Sequence, residues 1–162
     1  MNVTEEKYLR NKWILTPLII LYLITVFLTA WLSDDAYITF RSVNNFINGY
    51  GLTWNIGERV QAYTHPLWMF MLSGFYFLTS ELYYTPMFLS IVISLLTFYV
   101  LLKKISISAG SSIVVGLILI FSKAFIDYST SGLENPLTHL LIVLFFVVYF
   151  NTTNGYCQIY HF

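Results

Sequence analysis

"PLWMFMLSGFYFLTS", residues 66–80, is apolar along most of its length yet shorter than the roughly 20 residues a helix needs to cross a bilayer. How this stretch sits decides the fold. If it crosses, the chain makes five passes, Lys103 and Lys104 fall outside, and Glu134 of "TSGLENP" faces the side opposite Asp34 and Asp35. If it lies along the outer interface or dips in and returns, the next apolar run goes inward and Lys103 and Lys104 meet the cytosol, as the positive-inside rule prefers. Asp34, Asp35, Asp127 and Glu134 then share one membrane face. The second arrangement is the expected one, because amphipathic helices lying in an interface are a common solution for short apolar segments.

Working outward, runs near membrane-crossing length occupy 13–32, 82–102, 109–126 and the shorter 136–150. The 162 residues are 57% hydrophobic and 10% charged, against roughly a quarter charged in ordinary soluble domains. The composition predicts a membrane protein. Eight Lys and Arg balance eight Asp and Glu, so no basic field draws nucleic acid to the chain. The single cysteine, Cys157, forms no internal disulfide and is too few for a metal cluster, and it reads as incidental. Lys7, Arg10 and Lys12 precede the first run and orient it outward. That run is too long, and "LTAWLS" too unlike a cleavage site, for a removed signal peptide. No internal repeat stands out, and "NTTNGYCQIYHF" reads as a polar tail.

The predicted fold is an all-α integral membrane protein with about four transmembrane helices and two juxtamembrane helices in a long first outer loop. It forms one module: crossings at 13–32, 82–102, 109–126 and 136–150, an outer loop at 33–81 and an outer acidic loop at 127–135.

The outer loop has a helical grammar. Ser33 suits an N-cap, Asp34 and Asp35 would fill the first turn, and Ala36, Phe40, Val43 and Ile47 recur on one apolar stripe. Thr39, Arg41, Asn45 and Asn48 would face away from it. "GYG" at 49–51 then stops the helix with Gly49 at C′. A turn-rich stretch pivoting on Gly57 follows, and Pro66 opens the next helix, where its missing N–H removes no bond. Taken singly, these residues have plain structural readings. Two acids at a helix start favour the dipole by about 0.3–1 kcal/mol, Glu134 is a loop charge before a helix, and the tyrosines and tryptophans are interface anchors.

The combination says more. "SDDAYITFRSVNNFINGYGLTWNIGERVQAYTHPLW", 33–68, followed by "STSGLENPL", 129–137, resembles the first outer loop and second acidic loop of a GT-C family of bacterial membrane glycosyltransferases, which includes the terminal arabinofuranosyltransferases of the mycobacterial cell wall. The resemblance covers roughly residues 10–150. It departs at Gln61, Ala62 and His65, where many relatives carry Glu-Gly and Asn, and such enzymes are several times longer. It implies a GT-C type N-terminal module in the bacterial cytoplasmic (inner) membrane, multi-pass, with its active face outward. The partners implied are a polyprenyl-phosphate-linked sugar, an envelope glycan, lipid or protein acceptor, and membrane lipids.

In such an enzyme the donor's isoprenoid tail stays in the bilayer and its reactive carbon sits at headgroup level. A carboxylate takes the acceptor hydroxyl's proton as the sugar carbon gains oxocarbenium character. By resemblance Asp34 or Asp35 is that base, with Asp34 the choice and Asp35 orienting the acceptor or binding metal. The leaving lipid phosphate needs positive charge. Arg41, seven residues beyond Asp34, is one candidate, and His65 is another. Lys123 is a third, although an i,i+4 pair with Asp127 or snorkelling accounts for it equally well. Tyr63, Trp68 and Glu134 are candidate sugar or acceptor contacts. Asp35 and Glu134 are candidate ligands for a divalent cation, Mg, Mn or Ca. Three functions follow in order of preference: a lipid-linked-sugar glycosyltransferase or its N-terminal portion, a non-catalytic fragment or partner subunit of one, and a small transporter or lipid flippase.

Overall fold

The computed structural model describes residues 3–58, 60, 62–106 and 108–159, with side chains described from Lys12 to Phe150 and at Thr152. The described residues form helices joined by turns, with no strand among them. In chain order these are α1 Val3–Leu28, α2 Ala36–Ile47, α3 Pro66–Thr79, α4 Tyr84–Val100, α5 Ala109–Phe121, α6 Lys123–Tyr128 and α7 Asn135–Ile159. A π-helical turn, Leu101–Ile105, extends α4, and the combined Tyr84–Ile105 helix is long and apolar enough to cross a membrane. The other apolar helices, Lys12–Leu28, Pro66–Thr79, Ala109–Phe121 and Asn135–Phe150, are shorter.

Two apolar clusters hold the helices. In the first, α1 presents Leu18, Tyr22 and Val26, one turn apart, to Ile91, Phe98 and Leu102 of the α4 region and to Ile120, Phe125 and Ile126. The Tyr22 and Phe98 rings stack with centroids 4.6 Å apart. Gly116 lets α5 approach α1 closely, since a Cβ there would stand 3.1 Å from Leu18 Cδ1. In the second cluster, Ala36, Phe40 and Val43 of α2 meet Trp68, Met69 and Leu72 of α3, with Ile93, Leu137 and Leu140 behind them.

Local rules explain several boundaries. Pro66 occupies the first turn of α3, as its sequence position predicted. At 14 residues α3 spans only about 21 Å at 1.5 Å per residue. Gly49, at φ 81°, closes α2. There the Tyr50 N–H donates to Asn45 O and the Gly49 N–H to Phe46 O, the paired bonds of a Schellman cap. Ser108 and Ser111 form a reciprocal capping box at the start of α5.

Four expectations need correction. Asp34 and Asp35 precede α2 instead of filling its first turn: the N–H groups of Ala36, Tyr37 and Ile38 reach the carbonyls of Ser33, Asp34 and Asp35, a tight turn that starts the helix at Ala36. Thr39 and Asn45 are buried, because the loop after α2 folds back over them and Asn45 Nδ2 donates to Thr53 O and Trp54 O. The run 109–126 breaks at Ser122, whose extended backbone and side-chain cap restart the chain as α6. The expected tail continues α7 as far as Ile159, since no proline interrupts the helix there.

Candidate functional site

The two acidic stretches meet at one end of the fold, and backbone bonds hold them there. The Ser33 N–H donates to Ser131 O at 2.9 Å, and the Trp31 N–H to Thr130 Oγ1 at 3.2 Å. Trp31 Nε1 donates to Asp127 O at 3.0 Å. Beneath them, the buried Tyr22 hydroxyl and Ser129 Oγ lie 3.0 Å apart.

Gly132 is the keystone of this junction. Its φ of 78° is left-handed, and a Cβ there would stand 2.8 Å from Leu32 Cδ2 and 3.0 Å from both Ala36 Cβ and Phe40 Cζ. Only a glycine lets the 129–135 loop lie this close to the start of α2. From the other side, Trp68 Nε1 donates to Gly132 O at 2.9 Å. Trp68 is fully buried. That burial corrects its reading as a sugar-stacking residue: both faces are packed in the second cluster and its one donor is engaged. Trp68→Phe keeps most of the packing but orphans the Gly132 carbonyl, an expected loss of about 1–3 kcal/mol readable as a lower melting temperature.

Around this junction the predicted site residues divide. Asp34 and Asp35 are exposed at the turn into α2. Asp34 Oδ1 accepts from the Asp35 N–H at 3.1 Å and from Ser33 Oγ at 3.4 Å, which leaves Oδ2 open. No hydrogen bond or ion pair engages the Asp35 carboxylate among the described residues. Glu134 and His65 come together, with Oε2 and Nε2 3.1 Å apart and side chains 32% and 23% exposed. The pair lacks hydrogen-bond alignment, so the contact is an electrostatic one that requires a protonated imidazole. His65 Nδ1 lies 2.8 Å from Thr64 Oγ1. Tyr63 packs against the second cluster. Ala62 is half-buried, and Gln61 falls outside the described residues.

Arg41 stands apart from these. Its guanidinium lies 4.6 Å from the Trp54 ring centroid and donates from Nη2 to Asn55 Oδ1 at 3.0 Å, while Asn55 Nδ2 reaches Glu58 Oε2. It opens on a groove of about 450 Å³ between α2 and the turn that joins α3 to α4. Lys123 is 87% exposed and pairs with Asp127 one helical turn on, the bland reading of that residue. Among the described residues no three His, Cys, Asp or Glu side chains gather as a metal site.

Sequence reasoning missed Glu81. Its carboxylate caps α4, accepting from the N–H groups of Tyr83 at 2.6 Å, Tyr84 at 2.7 Å and Thr85 at 2.9 Å. Burial pushes the carboxyl up, but those donors and the Thr85 hydroxyl outweigh it and hold the group below its ordinary value. A lowered folded pKa contributes stability above the ordinary carboxyl range and loses it as pH falls through the folded value. Glu81→Gln is therefore expected to lose about 0.5–1 kcal/mol at neutral pH, with the melting temperatures of the two proteins converging in acid. A gap that persists unchanged in acid would contradict the cap.

Comparison with known proteins adds a relation. The chain is 32% identical over 123 residues to a terminal β-(1→2)-arabinofuranosyltransferase of Mycobacterium tuberculosis, covering 66% of this chain and 19% of that protein. It is 48% identical over 40 residues to a terminal β-(1→2)-arabinofuranosyltransferase of Corynebacterium glutamicum, covering 25% of this chain and 6% of that protein. The chain thus spans at most about a fifth of the curated relatives it matches. No protein-family model and no solved structure matches it. The similarity relates the chain to glycosyltransferases, and within them to arabinofuranosyltransferases.

Proposed function

We propose that the chain is a GT-C type membrane glycosyltransferase module that moves a sugar from a polyprenyl-phosphate donor to a cell-envelope acceptor on the outer face of a bacterial cytoplasmic membrane. The observation that carries this reading is the junction at Gly132, which joins the two acidic stretches at one end of an apolar helical fold. The similarity to arabinofuranosyltransferases supports a pentose as the sugar. A membrane setting is supported by the Tyr84–Ile105 helix and by outward apolar side chains such as Leu28 and Phe121, each 81% exposed. The shared end of Asp34 and Glu134 supports the arrangement in which 66–80 stays at the outer interface, leaving four crossings.

Asp34 is the proposed base. As the acceptor hydroxyl oxygen bonds to the anomeric carbon, the bond from that carbon to the phosphate oxygen breaks, the hydroxyl proton passes to Asp34 and the lipid phosphate departs. Oδ1 is fixed by the Asp35 N–H, so Oδ2 is the oxygen that would take the proton. Asp35, unengaged at the same turn, orients the acceptor. His65, held between Thr64 and Glu134, is the phosphate-side group at this end, while Tyr63 and Glu134 remain proposed contacts to sugar or acceptor. Arg41 and Lys123 are weaker candidates for the phosphate, Lys123 because Asp127 already neutralises it. A divalent cation, Mg, Mn or Ca, would fall to Asp35 and Glu134, whose oxygens suit a hard cation.

A second reading treats this chain as a module that needs further helices to transfer sugar, and the fraction of its relatives that it spans favours it. The experiment is transfer from radiolabelled polyprenyl-phosphate pentoses and hexoses to envelope acceptors by the purified chain in lipid nanodiscs. Pentose transfer supports the first reading; donor binding without transfer supports the second.

A further inference from the structure

The groove beside Arg41 is not the shape or charge of a phosphate site. Its walls are Tyr37, Arg41 and Asn44, on one face of α2, and Glu81 and Tyr83 from the turn before α4, with Phe40 and Leu82 adding apolar surface. Arg41 supplies the positive charge. Glu81 answers it from the opposite wall, kept ionised by the backbone donors of α4, so the groove is formally neutral and gives an anion no net attraction.

What it offers instead is a pattern for an uncharged polyol. Tyr37 and Tyr83 are exposed aromatic rings, propped edge-on against Phe40 and Tyr84 with centroids 5.4 Å and 4.9 Å apart. Asn44 is oriented by the Tyr76 hydroxyl, which donates to its Oδ1 at 2.7 Å, and its amide N–H groups have no partner among the described residues. Arg41 uses Nη2 on Asn55, is braced by Trp54, and lines the groove with donors left over. Rigid aromatic faces with a few oriented donors are what a sugar chain requires, apolar C–H faces on the rings and hydroxyls on the donors. The volume of about 450 Å³ falls in the range of small-ligand sites. Tyr37, one of the groove's walls, stands one turn after Asp34, its N–H donating to the Asp34 backbone carbonyl at 3.1 Å.

We propose that this groove is the acceptor subsite: a neutral glycan chain lies along Tyr37, Arg41, Asn44 and Tyr83, and its terminal hydroxyl reaches Asp34. The inference rests on the glycosyltransferase reading and moves Arg41 from the donor phosphate to the acceptor.

The test is saturation-transfer NMR and calorimetric titration of the full chain in nanodiscs with an arabinofuranose tetrasaccharide, using inorganic phosphate as competitor. The saccharide is expected to bind, and phosphate to leave it bound. Tyr83→Ala should raise Kd about tenfold, a change equivalent to about 1.4 kcal/mol, whereas Tyr83→Phe should bind like the parent. Melting temperatures of each variant separate a lost contact from a lost fold. The proposal is overturned if the saccharide does not bind, if phosphate displaces it, or if well-folded Tyr83→Ala and Asn44→Ala variants bind it unchanged. Sugar transfer with an unchanged acceptor KM in those variants would remove the subsite and leave the glycosyltransferase reading standing. Groove-dependent saccharide binding with neither donor binding nor transfer would leave a glycan-binding groove but remove the glycosyltransferase reading and, with it, the assignment as an acceptor subsite.

Discussion

Gly132→Ala is expected to lose about 2–5 kcal/mol of stability, the largest effect of a methyl group added at any of the described glycines. Two separate terms add. A left-handed backbone angle costs a non-glycine residue about 1–2 kcal/mol, and Gly132 sits at φ 78°. Overpacking a close junction costs about 1–3 kcal/mol more, and the new methyl would meet Leu32, Ala36 and Phe40 at 2.8–3.0 Å. Neither Ala36 nor the Phe40 ring can swing aside without opening the second cluster. Against a total stability of about 5–15 kcal/mol the loss is severe. Thermal unfolding in detergent measures it, and Gly110→Ala is the internal control: its new Cβ would meet only Ser108 Oγ, at 3.9 Å. If both variants melt like the parent, the two acidic stretches are not joined as described.

Asp34→Asn is the second large effect, and it falls on activity and not on folding. Asp34 is exposed at the turn, and an asparagine retains an oxygen to accept the Asp35 N–H, so melting should change little. The loss of a base positioned for proton transfer lowers rates by about 10²–10⁴. Transfer by Asp34→Asn is expected to fall within that range with acceptor KM nearly unchanged, since the proposed base would act in the transition state. Asp35→Asn should give the smaller fall and shift KM, as an orienting group does. A reversed order of the two variants would exchange their roles and leave the site in place.

Much of the fold was legible because it follows short-range rules. Pro66 at the start of α3, Gly49 behind α2 and the apolar periodicity of Ala36, Phe40 and Val43 each act through their own neighbours. The errors came where a distant segment intervened. Thr39 and Asn45 sit at polar positions of an amphipathic pattern, yet residues 53 and 54 cover them and give Asn45 its partners. Trp68 looked like a surface aromatic because nothing local announces that its indole N–H finds Gly132 O, 64 residues away. The one available hint was Gly132 itself, a glycine within "TSGLEN", where a left-handed turn was a fair expectation. The carboxylates of the candidate site could be picked out from their place in two separate stretches, and the fold brings those stretches to one end. The groove beside Arg41 could not, because Glu81 and Tyr83 come to line it only through the packing of α3 against α2.

The proposed function requires both acidic stretches to face the outside of the membrane together. Single cysteines at Asp35, Glu134 and Lys104, in a Cys157→Ser background, can be challenged in intact cells with a membrane-impermeant thiol reagent. Labelling is expected at positions 35 and 134 without permeabilisation, and at 104 only after it. Labelling at 134 that appears only together with 104, after permeabilisation, would contradict the proposed function.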